Sequence, residues 1–104
     1  MIREVCRRSG DRWELRLSGH AGSAPYGQDL ICAAVTALVS TLGQYLLDLY
    51  EDGLLKERPL VQLGPGHGRL TAQGKASALA TAFSMTCTGL KLLQASYPEN
   101  LTVE

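Results

Sequence analysis

Between residues 12 and 18 the chain alternates. Trp13, Leu15 and Leu17 fall on one side, Arg12, Glu14 and Arg16 on the other. A period of two predicts a half-buried β-strand. Residues 2–8 alternate less cleanly and form the candidate partner strand, with Ser9-Gly10-Asp11 as the hairpin turn. The pattern then changes. From Gly19 to Gln28, ten residues hold three glycines and a proline, the composition of a loop. Asp29 stands where a helix N-cap is expected. Residues 30–50 are rich in Ala, Leu and Val around much of a helical circumference, which predicts a helix buried on more than one side and stopped at Gly53. Residues 59–63 read as a short strand, 64–68 as a turn and 69–72 as the returning strand. Residues 75–96 form a second long helix, with Leu79, Phe83, Leu90 and Leu93 among its larger apolar positions and Pro98 beyond its end. Residues 101–104 add a last short strand. The order β-β-α-β-β-α-β predicts an α+β fold: a mixed or antiparallel sheet packed with two long helices.

Composition narrows the function. A length of 104 residues fits one domain, 1–104. Ten basic residues balance ten acidic ones, so the net charge is zero. The basic excess that drives binding to phosphate backbones is missing, and Arg7 and Arg8 are too few for a nucleic-acid patch. Zero net charge also leaves self-association unopposed. The first ten residues carry charges and no apolar signal core. The longest apolar stretch, 30–49, is interrupted by Thr36, Ser40, Thr41, Gln44 and Asp48. It reads as a buried helix, with no membrane span. The expected setting is the reducing cytoplasm, where thiols stay free.

Three cysteines, Cys6, Cys32 and Cys87, cannot all pair within the chain, and there is no C-x-x-C. Cys6 and Cys87 read as packing residues, and His67, between two glycines, as an exposed turn residue. A metal centre would need His20, His67 and cysteines to converge from distant elements without a local ligand pair, so no metal and no cofactor are expected.

The segment with chemical content runs from Ser18 to Thr36: SGHAGSAPYGQDLICAAVT. His20 directly follows a strand. Cys32 falls three residues after the expected cap. A helix N-terminus carries partial positive charge and free N–H groups, both of which favour thiolate over thiol. An imidazole within reach would strengthen this as a thiolate–imidazolium pair. His20 reaches Cys32 if the glycine-spaced loop folds back. The competing reading is that Cys32, flanked by Ile31 and Ala33, is a small hydrophobe in the core.

Gly19-His20-Ala21, then Tyr26-Gly27, then Asp29-Leu30-Ile31-Cys32-Ala33-Ala34-Val35-Thr36 resemble the ribosomal-processing cysteine protease family (Prp). Its members carry GHA, a glycine and tyrosine near the loop end, and D-[IL]-[VI]-C-A-[AG]-[VA]-[ST]. The twelve-residue step from His20 to Cys32 matches as well. The specific block is 20–36; the second half matches weakly.

The resemblance implies a cytoplasmic cysteine endopeptidase that removes the N-terminal extension of a large-subunit bacterial ribosomal protein, beside an aromatic-aromatic-alanine sequence, during ribosome assembly. It implies Cys32 as nucleophile, His20 as general base and later acid, and a homodimer. Asp29 is then either the cap or a third member orienting His20. Gly19 admits substrate backbone or merely ends the strand. Thr36, one helical turn beyond Cys32, keeps a polar contact or bonds back to its helix. Residues 21–28 form a lid or a plain connection, with Tyr26 packing on substrate or docking the loop. Many relatives have acidic residues or a histidine where this loop has Ser23, Ala24 and Gln28, which bears on substrate preference. The non-enzymatic alternative is a ribosome-assembly module that binds the same precursor without cutting it.

Overall fold

Two hairpins and two helices build the molecule. The computed structural model describes residues 1–19 and 26–104, with the backbone alone at 26–29. β1 (Ile2–Ser9) and β2 (Arg12–Ser18) pair antiparallel from Arg3↔Ser18 to Ser9↔Arg12, so Gly10 and Asp11 alone turn the chain. β3 (Leu60–Gly64) and β4 (His67–Gln73) form the second hairpin, and β4 lies antiparallel against β2. β5 (Leu101–Val103) runs parallel to β1. The sheet is therefore mixed, in the order β3-β4-β2-β1-β5.

Both helices supply the core that covers one face of this sheet. α1 (Tyr26–Glu51) buries Ile31, Val35, Val39, Leu42, Leu46 and Leu49, a stripe at steps of three and four residues. The five polar residues that interrupt its apolar run are all exposed. By length and composition its residues Leu30–Glu51 suffice to cross a membrane, yet here the apolar stripe is packed into the core with Leu15, Leu70 and Leu101 of the strands. α1 ends as expected at Gly53. That glycine has φ +74, its N–H bonds the Tyr50 carbonyl at 3.0 Å, and the Leu54 N–H bonds the Leu49 carbonyl at 2.9 Å. This pair is the Schellman arrangement. α2 (Ser77–Ser96) adds Leu79, Phe83 and Leu90, and Trp13 of β2 stacks on Phe83 at 5.5 Å.

Two boundaries differ from the expectation. α1 starts at Tyr26, so Asp29 lies inside the helix and is not its N-cap. An acidic residue is favoured both at the cap and inside the first turn, so residue type alone does not separate the two places. β4 starts at His67, which makes His67 an exposed strand residue paired with Gly64. Only Pro65 and Gly66 turn this hairpin. Gly66 has φ +76, the proline-then-glycine order of a type II turn.

Candidate active site

β2 delivers one half of the site. Its last residue, Ser18, pairs with Arg3 on one side and His67 on the other. Gly19 then leaves the sheet, its N–H bonding the Gly66 carbonyl at 3.1 Å. Gly19 has φ +86, and a Cβ there would stand against the Met1 carbonyl oxygen. The close approach that demands glycine is thus made by the chain's own Met1. His20 is the next residue in the sequence. His20 and residues 21–25 lie outside the described residues.

α1 delivers the other half. Cys32 is the seventh residue of α1, in its second turn and not its first. It is half-buried and packs against the core between buried Ile31 and Val35. The core reading of Cys32 therefore holds in part: the residue packs against the core and is still partly exposed. With the helix starting at Tyr26, the first-turn N–H groups without an intrahelical acceptor belong to Tyr26, Gly27 and Gln28. The Cys32 N–H is inside the helical ladder, so free donors for an oxyanion begin about one turn before the thiol. Tyr26, Gly27 and Asp29 are placed by backbone only, and Tyr26 to Gln28 are helical where a loop was expected.

Thr36 is exposed one turn beyond Cys32. Thr41, Thr86 and Thr88 each donate to the carbonyl four residues back. Among the described residues Thr36 makes no such bond. It lines a cleft of about 350 Å³ together with Leu17, Val39, Ser40, Leu63, Pro65 and His67. This cleft spans from β2 to α1, flanked by the second hairpin turn. It connects the strand that ends at Ser18 to the helix that carries Cys32. His67 was not among the expected site residues. Its signal was available in register, since it pairs with Ser18 at the very end of β2.

The structure also brings together residues that the sequence reading kept apart. Cys6 of β1 and Cys87 of α2 are in side-chain contact beside buried Glu4. Hydrogen bonding to Cys87 and burial push the Cys6 thiol up, and the same contact lowers that of Cys87. Strand parity places Ile2, Glu4 and Cys6 on one face, while the approach of Cys87 depends on how α2 packs.

A sequence model of the family described as cysteine protease Prp matches residues 1–102. A curated ribosomal processing cysteine protease Prp from Bacillus subtilis (strain 168) is 44% identical over 64 residues, 51% of this chain and 57% of that relative. The aligned part thus spans little more than half of the relative's length. Among solved structures, SMU.848 from Streptococcus mutans has a TM-score of 0.75 at 25% identity, covering 100% of this chain and 92% of that one. An essential ribosomal processing protease Prp from S. aureus, in complex with a covalently linked product peptide, has a TM-score of 0.75 at 20% identity, covering 100% and 98%. The fold is therefore shared along the whole chain.

Proposed function

The chain belongs to the cysteine protease Prp family, and from that premise we propose that it is a cysteine endopeptidase. Its substrate is the N-terminal extension of a large-subunit ribosomal protein precursor, and it works in the cytoplasm. The observation that carries this reading is the cleft lined by Leu17, one residue before the β2 end, and by Thr36, one turn beyond Cys32 on α1.

The chemistry follows from the two side chains. The Cys32 thiolate attacks the scissile carbonyl carbon and forms a C–S bond. The oxyanion is held by donors at the α1 N-terminus. The C–N bond breaks as the His20 imidazolium gives its proton to the leaving amine. Water then attacks the thioester, His20 takes its proton, and the thiolate leaves. The cleft lined by Thr36 seats a substrate side chain one helical turn along α1 from Cys32. Gly19 leaves the sheet immediately before His20 in the sequence, and Asp29 lies in the first turn of α1, three residues before Cys32. No cofactor enters any of these steps.

The active form is a homodimer. Tyr45, Met85 and Leu92 are exposed on a groove of about 730 Å³ between α1 and α2, floored by Leu38, Ala82 and Gly89. Met85 is 75% exposed and Leu92 68%. Apolar side chains this open, clustered on two helices, mark a surface made to be covered.

The test is a peptide whose extension ends in Phe-Phe-Ala, read by mass spectrometry. The unmodified chain cuts it beside that sequence, and Cys32→Ala does not. Binding without cutting by the unmodified chain would instead establish the assembly-module alternative.

A further inference from the structure

A second chemically able cluster lies away from the β2 corner. Ile2, Glu4 and Cys6 share the inward side of β1, because alternate strand residues face the same way. Cys87 meets them from α2, with Lys91 one turn further on. A carboxylate oxygen of Glu4 and the two Sγ atoms lie within 4.8 Å of one another. They line a cleft of about 440 Å³ with Trp13, Lys91 and Glu104 among its other walls. Glu4 is fully buried, and among the described residues neither of its carboxylate oxygens has a hydrogen-bond partner. A buried carboxylate without a partner demands a proton or a cation. Burial, opposed by Lys91 and aided by Glu104, raises its pKa to about 7, so without a cation it competes for a proton near neutrality.

We propose that Glu4, Cys6 and Cys87 form a binding site for a thiophilic divalent cation of the zinc class, with a fourth position open to water. Zinc–sulfur and zinc–oxygen bonds of ordinary length set tetrahedral ligand atoms about 3.5–3.8 Å apart, within reach of this cluster by side-chain rotation. Two thiolates select against magnesium and calcium. Binding releases the two thiol protons, and the Glu4 proton where it is present, to solvent. The two thiolates, the carboxylate and a dication together carry one negative charge, which the Lys91 ammonium on the same cleft offsets. The bound ion ties β1 to α2. Its site is separate from the Cys32 chemistry and uses none of those residues.

Cobalt(II) is the probe, added to the full chain carrying Cys32→Ala under a phosphine reductant. One equivalent per chain is expected to give thiolate-to-cobalt absorption in the near ultraviolet and to quench Trp13, the chain's one tryptophan. Zinc then displaces cobalt and raises the melting temperature. Cys6→Ser and Cys87→Ser each abolish the absorption. Glu4→Gln, which keeps the side-chain shape, weakens binding by roughly tenfold or more. The proposal is overturned if the Cys32→Ala chain gives no thiolate absorption, or if binding persists with both serines in place. It is also overturned if air oxidation links Cys6 to Cys87, with a mass loss of two hydrogens, while the reduced chain ignores cobalt. The measurement on the Cys32→Ala chain and on Glu4→Gln decides the matter even if the serine variants unfold.

Discussion

Leu17 of β2 and Thr36 of α1 line the same cleft. One residue after Leu17 the strand ends at Ser18, and four residues before Thr36 the helix carries Cys32. The two side chains therefore set the end of β2 and the Cys32 helix on one cleft. Thr36→Trp is expected to fill the cleft and obstruct the peptide. Since Thr36 is exposed, the fold should tolerate the change. Steady-state kinetics on the extension peptide should show kcat/KM down about tenfold or more, carried mainly by KM. Unchanged kinetics would separate this cleft from substrate binding.

Gly19→Ala is expected to destabilise the chain. The residue has φ +86, and the new methyl would press on the Met1 backbone carbonyl. A non-glycine residue held there costs about 1–3 kcal/mol. Differential scanning fluorimetry should show a fall of about 5 °C or more. Activity should fall as well, because His20 is the next residue.

Glu14 sets part of the acid stability. Its carboxylate is half-buried and bonds Arg69 at 2.8 Å and Arg16 at 3.1 Å. Burial raises its pKa, but the bonds and charges of the two arginines outweigh this, and the net shift is downward from 4.5. A depressed folded pKa contributes stability above the unfolded value of 4.5, and that stability is lost as pH falls below it. Arg69 lies on β4 and Arg16 on β2, so the loss loosens the sheet centre. Glu14→Gln should flatten the acid arm of the Tm–pH curve below pH 4.5. The change should be less than about 1 kcal/mol, since both arginines are well exposed.

Met85→Glu should break the dimer without unfolding the protomer. Its side chain is 75% exposed, so a charge there costs the isolated fold little, but it cannot be covered by a second apolar surface. Light scattering at micromolar concentration should report a dimer for the unmodified chain and a monomer for this variant.

Local patterns made much of the fold legible. The alternation of Trp13, Leu15 and Leu17 located β2, and Leu15 is fully buried. Gly53 marked the end of α1 because a left-handed residue must close a Schellman pair there. The start of α1 was less legible. Gly27 lowers helix propensity, and Asp29 suits a cap as well as a first turn. The run Gly64 to Gly68 looked like one long turn, yet a hairpin closed by Pro65 and Gly66 needs only two residues. The parallel pairing of β5 with β1 and the meeting of Cys6 with Cys87 are tertiary events, and no local period encodes them. For the site, the GHA and DLICAAVT blocks carried the family, while Thr36 and His67 on one cleft emerged only from strand register and helix placement.

The central claim is that Cys32 acts as the nucleophile and His20 activates it. It is tested most directly by mapping alkylation against activity. One equivalent of iodoacetamide near neutral pH should modify Cys32 ahead of Cys6 and Cys87, with activity lost in proportion. His20→Ala should slow that labelling by about tenfold or more. Labelling that falls first on Cys6 or Cys87, or activity that survives full modification of Cys32, would contradict the account.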